Sequence, residues 1–233
     1  MPLFLNSNYL LFMLPAIILM IIAQWRVKAA YSKWSQVRNS YNLSGAEAAR
    51  RMLNYGGLST VRIESVAGNL SDHYDPRTDT LRLSPGVAQT NSVAALAIAA
   101  HEIGHAMQDQ EGYAPLRFRA AIVPAVNIGS SLGWILILIG LLLNLTGLAW
   151  LGVVVFSGGA LFALATLPVG FNASRRAREL LTSSGLVTSP EEQSGVNSVL
   201  NAAAMTYVAG LATAVLQVLY YAMLIGGGGR RRN

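Results

Sequence analysis

The stretch Ala99-Ala100-His101-Glu102-Ile103-Gly104-His105-Ala106-Met107 decides how this chain is read. It contains His-Glu-x-x-His, and residues 92–100 ahead of it carry a helical pattern. Positions four apart on a helix share one face, one turn apart. His101 and His105 can therefore aim both imidazoles at one metal ion. Zinc is the usual occupant, because it accepts neutral imidazole and tolerates an open coordination position. Glu102, next to the first His, is placed to take a proton from a water at such a metal. The competing reading is a pair of structural histidines. Only three His occur in the chain and two stand here, among Ala, Ile, Leu and Val. Burying them without a role would be costly.

Around that helix the composition is that of a membrane protein. Of 233 residues, 53% are hydrophobic and 12% charged, and the apolar residues come in long blocks. The net charge of +6 sits beside those blocks, as membrane orientation requires, so nucleic acid is not expected as a partner. There is no Cys, so zinc must be held by His and carboxylate.

Residues 9–25 are nearly all apolar, with Pro15 inside, and residues 3–5 can extend the run. Arg26, Lys28, Lys33 and Arg38 follow it, which predicts an uncleaved anchor with the next domain in the cytoplasm. Ser44-Gly45-Ala46-Glu47 has capping-box spacing and predicts a helix to about Asn54, ended by Gly56-Gly57. Residues 60–66 and 80–84 read as strands, with a turn at Asp75 to Asp79. The apolar blocks 122–143 and 148–169, joined by an uncharged turn, predict a transmembrane hairpin. Arg117 and Arg119 on one side, and Arg175, Arg176 and Arg178 on the other, put both its ends in the cytoplasm. Ser189-Pro190-Glu191-Glu192 is a second capping box with Pro at the first helical position. Residues 201–225 are a fourth span, whose Arg230-Arg231-Arg232 tail would end outside, against the charge rule.

The expected architecture is a mainly α membrane protein. About four transmembrane helices accompany a small zincin-like α+β domain. In residue numbers it has an anchor (1–25), a cytoplasmic domain (26–120), a hairpin (121–169), a cytoplasmic segment (170–200), a fourth helix (201–225) and a Gly/Arg tail (226–233).

With these features the chain resembles the bacterial YugP-type zinc-dependent membrane peptidases and is more distantly similar to the HtpX-type proteases. The resemblance rests on Ser71-Asp72-His73-Tyr74-Asp75-Pro76-Arg77, on residues 99–108, on Glu111-Gly112-Tyr113-Ala114-Pro115-Leu116-Arg117, and on Leu167-Pro168-Val169 with Phe171-Asn172-Ala173-Ser174-Arg175-Arg176. It implies an integral protein of the bacterial plasma membrane, a zinc metallopeptidase with its site on the cytoplasmic face. In that family a Glu after the hairpin, in a Leu-Pro-Val-Glu-Phe pattern, supplies a third ligand. Gly170 stands at that position here, and glycine cannot ligate.

On a helix over 170–181, Ala173 and Ser174 would share the face of position 170, whereas Asn172 and Glu179 would point away. His73 is a ligand type from elsewhere in the domain or, instead, part of the loop of residues 72–77, and a second water could fill the empty position. The expected function is peptide hydrolysis, with zinc on His101 and His105 and Glu102 as general base. The segment 81–84 is a candidate for pairing with substrate as an added strand. Asp109 and Glu111 either orient the His ligands or are solvated residues at a helix end. The expected partners are the lipid bilayer and a peptide or membrane-protein substrate. The alternative function is an inactive or impaired variant, a pseudoprotease or an engineered form, that binds a partner without efficient cleavage.

Overall fold

The computed structural model describes residues 7–228. The expectations for residues 3–5 and for Arg230-Arg231-Arg232 fall outside them. In chain order the elements are α1 (Ser7–Trp34), α2 (Gly45–Tyr55), β1 (Arg62–Ser65), β2 (His73–Asp75), β3 (Thr80–Leu83), α3 (Pro85–Ala88) and α4 (Val93–Gln110). They are followed by α5 (Ala114–Leu142), α6 (Thr146–Phe156), α7 (Gly158–Ser183) and α8 (Pro190–Gly228). The chain divides into two compact units.

One unit comprises residues 23–117 and 168–205. There α2, α4 and α8 begin where side chains satisfy the orphan backbone donors of a first turn. Ser44 Oγ accepts from Glu47 N–H while Glu47 reaches back to Ser44 N–H, so α2 starts on a complete capping box. Gly57 follows the helix at φ +72°, a conformation that favours glycine. Ser189 and Glu192 form the same reciprocal pair ahead of α8, with Pro190 in the first turn. Ser92 caps α4 through Ala95 N–H at 3.1 Å. The core joins Met52 and Leu53 of α2, Leu81 and Leu83 of β3, Leu96 and Ile103 of α4, Leu181 of α7 and Leu200 of α8.

Among the described residues this unit carries a three-stranded sheet of order β1-β3-β2. β3 runs parallel to β1 and antiparallel to β2, with Leu81 opposite both Ile63 and Tyr74. Alternation puts Leu81 and Leu83 inward and Arg82 outward, where it pairs with Asp75 at 2.8 Å and Glu64 at 3.2 Å. The segment expected to pair with substrate is thus the central strand, and both of its edges are already taken. The sheet's outer edges belong to β1 and β2.

The other unit comprises residues 7–22, 118–167 and 206–228 of the described chain. Here α5 and α6 lie antiparallel at close range through glycine. A Cβ built on Gly133 would meet Phe156 N at 2.5 Å, and one on Gly152 would meet Ile137 N at 2.5 Å. Ile137, Ala149, Val153, Tyr220, Tyr221 and Ile225 form its core. Large apolar side chains such as Leu11, Ile128, Leu142 and Val154 face outward, which suits lipid rather than water.

Four helical stretches among the described residues are long and apolar enough to cross a membrane: Tyr9–Trp34, Ala114–Leu142, Thr146–Ser183 and Pro190–Gly227. The protein is a mainly helical membrane protein. The boundaries drawn at residues 25, 169 and 200 fall inside continuous helices. Ala, Leu, Arg, Glu and Lys are all good helix formers, so a change from apolar to polar composition does not end a helix.

Candidate metal centre

α4 carries the motif in the interior of the first unit. His101 is 7% exposed, and its ring lies edge-on to that of His105, with centroids 4.9 Å apart. The helical four-residue spacing accounts for that closeness. Burial, with smaller contributions from His105 and the Arg178 guanidinium, pushes the His101 imidazole down to about 3. The ring is therefore neutral at pH 7, the form in which imidazole binds a metal.

Each ring is anchored through Nδ1. His101 Nδ1 lies 3.1 Å from Ser174 Oγ, and His105 Nδ1 lies 3.0 Å from Gln108 Oε1. Such contacts fix ring orientation in metal sites. Ser174 comes from α7, which approaches α4 closely at one point. A Cβ built on Gly104 would meet Ala173 O at 2.5 Å. Only glycine at that place in the motif lets the two backbones come so near.

Glu102 faces the sheet. Its Oε2 accepts a hydrogen bond from Tyr74 N–H of β2 at 3.2 Å. The Tyr74 hydroxyl reaches Asp79 Oδ1 at 2.9 Å and Asp109 Oδ2 at 3.1 Å, tying the β2–β3 turn to the last turn of α4. Burial and these carboxylates push the Tyr74 phenol well above its ordinary value, so it stays a donor. Asp72 accepts from Ser84 N–H at 2.7 Å, and burial raises its carboxyl. His73 is exposed on β2, its Nδ1 2.9 Å from Ser71 O.

The remaining sequence candidates find definite partners. Asp109 holds Tyr74. Glu111 forms a forked ion pair with Arg176 at 2.6 and 2.5 Å, and that guanidinium holds its carboxyl below the usual range. Glu179 pairs with Arg175 on the exposed side of α7. Asn172 does not point away from α4 as the helical angle predicts. Its Oδ1 accepts from Gln108 Nε2 at 2.9 Å and from Arg176 Nε at 2.7 Å, because the long Gln108 and Arg176 side chains span the angular gap. Gln108, fully buried, went unnoticed in the sequence: a polar residue seven positions after His101, two helical turns on, was the available signal.

The two imidazoles, that of His101 neutral, fit as two ligands of a zinc ion. Gly170 is buried on α7 and offers no donor. Among the described residues no group of three or more His, Cys, Asp and Glu could hold a metal. A complete three-ligand set is therefore not assembled among the described residues.

Comparison with known proteins bears on this centre. Residues 9–226 match the family described as "Putative neutral zinc metallopeptidase". The chain is 44% identical over 206 residues to the Bacillus subtilis (strain 168) protein named "Putative membrane protease YugP", covering 88% of this chain and 91% of that one. No solved structure matches. On the extent of these matches, this chain belongs to that zinc metallopeptidase family.

Proposed function

We propose that this protein is a membrane-bound zinc metalloprotease in which His101 and His105 hold the metal and Glu102 is the general base. The observation that carries the reading is the pair of edge-on imidazoles, each tied through Nδ1, with a carboxylate beside them. Zinc, when bound, would lower the pKa of water and polarise a scissile carbonyl. Glu102 takes the proton of the attacking water and passes it to the leaving amine. Tyr74 N–H holds the Glu102 carboxylate for that transfer. An extended peptide, free or part of a membrane protein, is the substrate class. β2 is an edge strand beside Glu102 and can take such a peptide as an added strand, with loose side-chain selectivity. The Lys and Arg distribution supports a cytoplasmic site. Because the chain has no Cys, cysteines placed singly at Ser59 and Asn144 report topology directly. A membrane-impermeant reagent should label them from opposite sides, and labelling of both from the same side would overturn the topology.

Gly170 favours a second reading, a pseudoprotease that binds its target without cutting it. Zinc content and peptidase activity of the purified protein, beside Glu102→Gln and Gly170→Glu, separate the two. Glu102→Gln should abolish hydrolysis and keep metal. Gly170→Glu should add a carboxylate ligand and make zinc harder to strip with a mild chelator. One missing ligand is worth several kcal/mol, against about 10–16 for a complete structural site. An unaltered protein that holds zinc yet never cleaves, with cleavage only in Gly170→Glu, would establish the second reading.

A further inference from the structure

Gln108 is fully buried, and its side chain makes three hydrogen bonds. Its Nε2 donates to Val169 O at 2.8 Å and to Asn172 Oδ1 at 2.9 Å, and its Oε1 lies 3.0 Å from His105 Nδ1. Nε2 has only protons to offer and faces two acceptors. Reversing the amide would set Oε1 against both of them, so the orientation is fixed. Oε1 can only accept. The bond to His105 therefore requires a proton on Nδ1, and in the neutral ring this leaves the lone pair on Nε2.

We infer that Gln108 is a positioning residue for the metal centre, setting the tautomer of His105 and holding that ring to α7 on either side of Gly170, through the Val169 carbonyl and the Asn172 side chain. The first effect presents Nε2 as the metal-binding nitrogen before any metal arrives. The second follows from the two acceptors, Val169 and Asn172, which flank position 170. The same amide thus sets the register between a ligand on α4 and the turn of α7 where a third ligand would stand. The role for metal binding rests on the proposed function, but the tautomer is a property of the protein alone.

The test uses the full-length protein in detergent micelles, labelled with nitrogen-15 at histidine and stripped of metal, at pH 8. Three His in the chain keep the spectrum assignable. His105 should carry its proton on Nδ1. In Gln108→Leu it should shift to Nε2–H or to a mixture. Zinc affinity, read by chelator competition, should fall about 10- to 100-fold. Gln108→Glu keeps an acceptor for Nδ1 but loses the donor to α7, so it should retain the tautomer. A proton on Nε2 of His105 in the unaltered protein overturns the inference without any variant. So does an unchanged tautomer in a Gln108→Leu protein of unaltered helix content. If the tautomer behaves as stated and no zinc binds, the assignment of Gln108 to His105 stands and the proposed metal chemistry falls.

Discussion

The two units use one packing device to different ends. Around α5 and α6, glycines at 133, 140 and 152 let helices touch backbone to backbone, and what they touch is apolar. Between α4 and α7, Gly104 does the same against Ala173, and the contact brings polar groups together: His101 with Ser174, and Gln108 with Val169 and Asn172. The charge inventory divides along the same line. All eleven Asp and Glu and all three His lie within residues 23–117 and 168–205. Close approach without polar groups gives a scaffold, whereas close approach with them orients rings.

The sharpest way to break the comparison is to spoil both contacts alike. Gly104→Leu and Gly140→Leu should each destabilise the protein by about 3 kcal/mol through overpacking, seen as a lower thermal transition. Only Gly104→Leu should also abolish zinc uptake by the folded fraction. Equal metal loss in both variants would mean that the two contacts are not distinct in function.

Acid comes next. His101 refuses a proton until pH is near 3, while in the unfolded chain it accepts one near 6.5. Protons therefore favour unfolding. In the metal-free protein the stability is full above pH 6.5 and is lost as pH falls from 6.5 toward 3. Hydrogen-exchange protection in residues 93–110, taken relative to the intrinsic amide rate at each pH, should fall over that window. Residues 133–153 contain no Asp, Glu or His and should not follow. A parallel loss of protection in both would show that acid acts globally rather than through the buried ring.

Ser174→Ala is a smaller perturbation. It removes the His101 Nδ1 partner at a cost of about 1 kcal/mol in stability and about tenfold or more in zinc affinity. Unchanged affinity would reduce Ser174 to packing. The smallest effect belongs to Arg175→Ala. Its pair with Glu179 is solvent-exposed on both sides, and its loss should lower stability by less than about 0.5 kcal/mol, read from denaturant unfolding, with no change in metal binding.

These residues also mark how far sequence reasoning reached. The caps at Ser44 and Ser189 were legible because capping is a local bargain between residues three apart. The motif helix was legible for the same reason, as were the strands over 62–65 and 80–83. The role of β3 was not, since which strand is central depends on pairing between distant segments. Ser174 lay on the expected face of α7, but its contact with His101 exists only because α7 rests on Gly104. Gln108 and Asn172 needed the same register between two helices more than 60 positions apart. The helix lengths were missed because hydropathy marks where lipid would begin, while helix propensity continues past it.

Gly104 has a further consequence for how this sequence can vary. It stands at one of the two unspecified positions of His-Glu-x-x-His, which take no part in the proposed chemistry. Yet even alanine there would set a methyl carbon 2.5 Å from a backbone oxygen that cannot swing aside. Drift at that position is blocked by steric fit alone, so the permissive letters of the motif are not equally free. A library randomised at 103 and 104 should return many residues at the first and almost nothing but glycine at the second.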